Sequence, residues 1–397
     1  MRPGTLAAAA VGIVAALSIA APYFRSYSRS AALIVRMAGL AGPAAHALSC
    51  EHENVTVSDA VVMSRHGRLR ARLYVPDHVR RAVVLVAGVN ALGIDEPRLY
   101  GLADELASAG LAVITPELPD LQRYDITART TDMIEDAGVW LSKQHRLARD
   151  GRVGLVGISF SGGLAVVAAG RPVLRDRVAF VFSFGGYGSF PRVLRFLCTG
   201  MEPAAVPIGA AGATPGAGSE TYRRPHDYGV VILLLGLAPH LVPADQVQPL
   251  RTAILTFLRA SHLELIDKRK ATEAFVDARR MTEALPEPAR TFMDDVNERN
   301  VDKLGLALQP WIGTIGLEPA LSPDRSPAPS APVYLLHGTE DNVVPSVETL
   351  LLDRYLVGRT RVRVLLSGLI THAELDHAPR AGDVWKLVDF FADMLRE

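Results

Sequence analysis

The chain has 397 residues, with 42 basic and 42 acidic side chains and hence no formal net charge. That balance excludes a polycationic nucleic-acid binder, and a content of two cysteines, Cys50 and Cys198, excludes a disulfide-dense scaffold. The length suits a large α/β domain carrying an insertion.

Residues 5–24 carry no charge and are rich in Ala, Val, Ile and Leu, long enough to cross a bilayer as one helix. An uncleaved membrane anchor is the reading taken. The alternative is a signal peptide cut near Ala21, which would leave a secreted or periplasmic protein. Arg25, Arg29 and Arg36 follow the run and Arg2 precedes it, a bias that favours a cytoplasmic body. Residues 31–48 read as an interfacial amphipathic helix or a linker.

Residues 55–63 and 69–75 alternate apolar and polar around His66-Gly67, the pattern of an antiparallel hairpin. Residues 82–87 form a continuous apolar run, as in a strand buried on both faces. They lead into Gly88-Val89-Asn90. A helix over 96–109, stopped by Gly110, a strand over 111–115 and a long helix over 126–148 follow.

The next stretch, 152–170, begins as an apolar strand, passes a knot of small residues and continues as an Ala/Val-rich helix. Gly157-Ile158-Ser159-Phe160-Ser161 fits the nucleophile elbow G-x-S-x-G with serine in the last place. The small residues are needed because strand and helix backbones nearly touch. The turn would lift the Ser159 hydroxyl above the sheet edge and aim the Phe160 N–H, at the helix start, at a developing oxyanion. Ser161 is the rival nucleophile, but the strand ends at Ile158, which favours Ser159.

After a strand over 178–184 the alternation of strand and helix stops. Helices are expected near 230–241, 250–266, 271–284 and 287–297, a Gly/Ala/Pro loop over 204–218 and a Pro/Ser linker over 322–332. The block reads as an inserted helical cap. The sheet resumes with a strand from Val333 to Leu336, a helix over 346–356, a strand over 362–366 and a closing helix over 384–395.

Ester or amide cleavage needs a nucleophile, a base and a group to orient the base. In a parallel sheet these gather at the carboxyl ends of the strands. Asp341, in His337-Gly338-Thr339-Glu340-Asp341-Asn342-Val343-Val344-Pro345, lies just past one strand end and suits the orienting carboxylate, with Glu340 as competitor and His337 as a structural residue. His372 follows the last strand and suits the base, with His377 as rival.

The order Ser159, Asp341, His372, with the elbow and His337-Gly338-Thr339-Glu340-Asp341, resembles the α/β-hydrolase family. The resemblance covers residues 55–397 apart from the cap. It implies a mostly parallel twisted sheet with helices on both faces, and an oxyanion donor N–H from Val89 or Asn90. Ala87-Gly88-Val89-Asn90 stands where relatives carry His-Gly, and the Asn90 side chain is either a further donor or a turn former.

The resulting organisation is 1–50 anchor or signal segment plus linker, 51–188 core, 189–331 cap and 332–397 core. The function expected is hydrolysis of a carboxylic ester, with a lean to a hydrophobic one because residues 230–239 are nearly all apolar. The alternatives are a serine peptidase or acyltransferase on the same fold, or a non-catalytic membrane-tethered binding protein. No metal cluster, phosphate loop or dinucleotide fingerprint is found in the sequence, so no cofactor is expected.

Overall fold

The computed structural model describes residues 23–37, 52–204, 208, 220–264, 266–369 and 381–397. Cys50, His372 and His377 lie outside the described residues, as do most of the uncharged run 5–24 and of the loop 204–218. Among the described residues no helix is long and apolar enough to cross a membrane.

Strands β1 (Val55–Ser64) and β2 (Gly67–Pro76) pair antiparallel across the two-residue turn Arg65-His66. β3 (Arg81–Val86), β4 (Leu111–Pro116), β5 (Val153–Ile158), β6 (Val178–Phe184), β9 (Val333–Gly338) and β10 (Val362–Ser367) pair in parallel. The sheet order is β1-β2-β4-β3-β5-β6-β9-β10. From β3 the chain moves one way to β4 and then back past β3 to β5. The carboxyl ends of β3 and β5 therefore flank the point where a doubly wound sheet opens a ligand crevice.

Successive strand residues point to opposite faces, and both faces are covered. Val83, Leu85, Phe180, Phe182 and Tyr334 pack under helices α1 (residues 23–37), α2 (Pro97–Ser108) and α13 (Ala381–Met394). Val84, Val86, Leu155, Val181 and Leu335 pack under α4 (Ala128–Ser142), α5 (Phe160–Gly170) and α12 (Val347–Leu356). α3 (Pro119–Gln122) is a single turn before α4.

Residues 31–37 are neither an interfacial helix nor a linker. They continue α1, whose Ala32, Leu33 and Ile34 are buried and whose Ser30 hydroxyl donates to the Val388 carbonyl at 2.6 Å. Tyr27 bonds Asp389 and Arg36 pairs with Glu105. The long helix over 126–148 ends at Ser142 and gives way to turns.

Between β6 and β9 run helices α6 (Phe190–Thr199), α7 (Asp227–Leu241), α8 (Ala244–Glu264), α9 (Lys268–Glu283), α10 (Ala289–Asn297) and α11 (Val301–Leu308), with a small β7 (Met201–Pro203) and β8 (Glu220–Tyr222) ribbon. α6 and α11 stand where no helix was expected. α6 is nonetheless marked by Pro191 in its first turn and by left-handed Gly200 past its end. Residues 322–332 are packed chain, not a linker. Two 3₁₀ turns bury Ser322 and Pro323, Tyr355 donates to the Ser326 carbonyl at 2.6 Å, and a Cβ on Gly170 would stand 1.8 Å from the Pro327 carbonyl oxygen.

Candidate active site

The turn between β5 and α5 is as tight as its sequence implies. A Cβ on Gly157 would meet the Ser161 carbonyl oxygen at 2.2 Å, and one on Gly162 the Ser183 hydroxyl at 2.5 Å. Ser159 has φ 56° and ψ −131°, a region that costs a non-glycine residue on the order of 1–3 kcal/mol. It is held there by its N–H on the Phe184 carbonyl at 2.7 Å and by its own carbonyl receiving the Gly162 N–H at 2.8 Å.

Ser159 lines a cavity of about 800 Å³. Ser161 does not. It is fully buried, and its hydroxyl donates to the Ala87 carbonyl. The serine in the last elbow position thus ties α5 to the end of β3. Phe160 is the first residue of α5, so its N–H has no acceptor within the helix. Its ring is anchored edge-on against Tyr187 and Phe190, with centroids 5.8 and 6.1 Å away.

The loop after β3 faces the elbow. Gly88 comes so near that a Cβ there would lie 3.6 Å from the Ser159 Cβ. The Asn90 side-chain oxygen accepts the Leu92 N–H at 2.7 Å, so this side chain forms the turn. Its amide nitrogen lies 3.3 Å from Nδ1 of His262, on α8. The Tyr228 hydroxyl, on α7, donates to the Val89 carbonyl at 2.9 Å. Among the described residues neither the Val89 nor the Asn90 N–H has an acceptor.

Asp341 sits past the end of β9, 2% exposed, and lines the same cavity. Its Oδ1 accepts the N–H groups of Val343 and Val344 at 2.9 and 3.0 Å. Glu340 lines the cavity too, but its side chain is 69% exposed and pairs with Arg223 at 3.3 Å. His337 is buried under the strand end, with Nδ1 at 2.7 Å from the Thr349 hydroxyl and Nε2 donating to the Val344 carbonyl at 2.9 Å. Ser159 and Asp341 are thus brought to one cavity. β10 ends beside them, with Ser367 paired to Gly338 and its carbonyl accepting the Thr339 N–H at 3.2 Å.

The opposite wall is polar. His226, Tyr228, Ser261, His262 and Arg299 line it, and Glu96 and Arg98 join from the chain around the start of α2. Burial and then the nearby Arg98 charge push the His262 pKa below the usual imidazole value. Tyr228 and His262 were not among the residues singled out in the sequence, and no local signal marks them. Cys198 is buried and unpaired, its thiol pushed up to about 12 by burial, which makes it a poor nucleophile. Among the described residues no group of three or more His, Cys, Asp or Glu could hold a metal ion.

A sheet in this strand order, with a strained serine between β5 and α5 and a buried carboxylate past β9, has the architecture of the α/β-hydrolase fold. No family model matches the sequence. No curated protein matches it either. Among solved structures the chain is similar to an esterase of Pyrobaculum calidifontis, with 15% identity, TM-score 0.44, 93% of this chain and 90% of that one covered. It is also similar to an esterase of Pyrococcus furiosus, with 9% identity, TM-score 0.46 and coverages of 85% and 91%. A putative dienelactone hydrolase of Klebsiella pneumoniae shares 12% identity, TM-score 0.40 and coverages of 85% and 99%. Likenesses this distant transfer no residue role, and the fold assignment rests on the strand order and the elbow.

Proposed function

We propose that the chain is a serine hydrolase that cleaves a carboxylic ester through an acyl-enzyme. The observation that carries this reading is Ser159 in a strained conformation on the cavity wall, opposite a loop with two N–H groups that have no acceptor among the described residues. His372 takes the Ser159 proton as Oγ attacks the carbonyl carbon. Asp341 orients the imidazole. The N–H of Phe160 and that of Val89 or Asn90 stabilise the oxyanion. His372 then protonates the departing alcohol, and water hydrolyses the acyl-enzyme by the reverse sequence. Activity falls below about pH 6–7 as a histidine base protonates, and a flat profile between about pH 5 and 8 would speak against such a base.

The lean to a hydrophobic ester draws on the apolar cavity wall, where Val89, Leu99, Ile158, Phe160 and Phe184 stand, and not on α7. Val230, Val231, Leu234 and Leu235 are buried in the core, and of α7 it is Tyr228 that reaches the cavity. We expect a chain-length series of p-nitrophenyl esters to favour acyl groups longer than acetyl, and a strong preference for acetyl would defeat this reading. A peptidase or acyltransferase remains the second reading on this fold.

Labelling the full chain with a fluorophosphonate and mapping the modified peptide tests the reading. Modification at Ser159 is expected. No labelling would favour a binding protein, and labelling at Ser161 would overturn the assignment. The proposal includes a membrane tether by the uncharged residues 5–24. Release of the protein from membranes by alkaline carbonate would exclude it.

A further inference from the structure

We propose that Tyr228 and His262, contributed by the helical stretch between β6 and β9, are positioning residues that hold the loop after β3 so that its N–H groups meet the oxyanion. This rests on the serine-hydrolase reading above.

Each makes one bond to that loop. Tyr228 donates to the Val89 carbonyl at 2.9 Å. A trans peptide is planar, with its C=O and N–H pointing in opposite directions. Fixing the Val89 carbonyl therefore fixes the direction of the Asn90 N–H and restrains the Val89 backbone that carries the neighbouring N–H. Burial holds the Tyr228 hydroxyl well above its usual pKa, so it stays a donor wherever a histidine base is active.

His262 acts one residue along. Because the Asn90 oxygen is engaged by the Leu92 N–H, its amide nitrogen is the atom that faces His262 Nδ1 at 3.3 Å. Nδ1 must then accept, which places the ring proton on Nε2. Among the described residues that Nε2 is buried without a partner. A buried donor left without an acceptor costs stability, so the ring is held in place by something other than its own satisfaction. The bond to Asn90 is the interaction that this orientation secures. The loop is in this way braced from across the cavity, by residues about 140 and 170 positions later in the chain.

The test uses the full chain, p-nitrophenyl acetate as substrate and a small trifluoromethyl ketone as inhibitor. Ser159 Oγ adds to the ketone carbon, its proton passes to His372, and the ketone oxygen becomes an oxyanion in the hole. Tyr228→Phe is expected to lower kcat by roughly tenfold or more with KM nearly unchanged, and to weaken the ketone by a similar factor. His262→Ala should do the same to a smaller extent. His262→Asn, which keeps an acceptor oxygen near the place of Nδ1, should recover most of it. Tyr355→Phe is the control, since it removes a like bond, to the Ser326 carbonyl, away from the cavity. If Tyr228→Phe and His262→Ala lower the melting temperature as Tyr355→Phe does but leave kcat and ketone affinity unchanged, the bracing role is wrong while the hydrolase reading stands. If the unmodified protein neither hydrolyses esters nor reacts with a fluorophosphonate, both fail.

Discussion

The two loops that flank Ser159 meet at one cavity but are held by different means. The elbow is self-contained. Gly157, Ser159, Ser161 and Gly162 lie within six residues, and the strand and helix on either side fix one another through contacts that admit no larger side chain. The loop after β3 is tied locally by the Asn90 turn and, at its start, by the Ser161 hydroxyl on the Ala87 carbonyl. Its Val89 carbonyl and Asn90 amide are engaged from α7 and α8, across the cavity. A side chain on a rigid scaffold can face in this way a loop whose geometry depends on a second layer of structure. The first is set by folding of the core, and the second by docking of the helices.

The largest expected effects fall on the self-contained side. Ser159→Ala should remove hydrolysis by a factor on the order of 10⁶ in kcat, as for other loss-of-nucleophile variants, with the fold intact by circular dichroism. Asp341→Asn should cost on the order of 10⁴, because the amide would still receive the Val343 or Val344 N–H but would not hold an imidazole in the required tautomer. A kcat within tenfold of the unmodified protein for Ser159→Ala would remove the contrast between the two loops, since the elbow would then carry no chemistry; the same result for Asp341→Asn would remove Asp341 as the orienting carboxylate.

A smaller effect, on stability, probes the root of the helical stretch. Glu348 is 1% exposed and accepts the N–H groups of Gly188 and Ser189 at 3.0 and 2.9 Å, and Arg192 Nε at 2.7 Å. Glu348→Ala strands these donors and should destabilise by about 3 kcal/mol, read as a lower urea midpoint. If the helices brace the loop after β3, kcat should fall well before the global transition as urea is raised, while the emission of Trp140, on α4, read in a Trp311→Phe background, should not change until that transition. Coincident loss of both would mean that the stretch does not loosen on its own.

The same contrast explains what could be read from the sequence. Strands at 82–87, 111–115, 153–158, 178–184 and 333–336 announce themselves because a buried parallel strand is a short apolar run with turn residues at its end. The elbow is legible because each close approach demands glycine or serine at a fixed spacing. Asp341 is legible because a strand end points at it. The pairing of Tyr228 with Val89 leaves no such trace, since neither residue constrains its sequence neighbours. Helix α6 and the chain through Ser322 and Ser326 were misjudged for a related reason. Pro191 sits in the first turn of α6, and the Pro/Ser composition of 322–332 points to a linker, whereas Pro323 starts a 3₁₀ turn and Ser326 is held by Tyr355 of the α12 segment.

The smallest expected effect lies far from the cavity, in the hairpin turn, and supplies a measure of pH dependence that owes nothing to catalysis. Asp136, on α4, accepts the Arg65 N–H and the Ser64 hydroxyl, both at 2.8 Å, and the Arg65 guanidinium. Burial raises its pKa, but these partners outweigh burial and leave the carboxyl below its usual range. Asp132, bonded to His66 and Arg171, is lowered against burial in the same way. A carboxyl lowered in the folded state binds its proton less readily there than in the unfolded chain. Its contribution is therefore full above the ordinary value near 4 and is lost as pH falls through the folded pKa. The Arg65 side chain is 45% exposed, so screening limits the Asp136 contribution to about 0.5–1 kcal/mol. Asp136→Asn should lower the urea midpoint at pH 6, and the gap to the unmodified protein should narrow by pH 3 and in high salt. The variant's kcat profile should superimpose on the unmodified one through the range where a histidine base titrates. If the midpoint gap instead persists unchanged at pH 3, the hairpin is fastened to α4 by packing and not by charge.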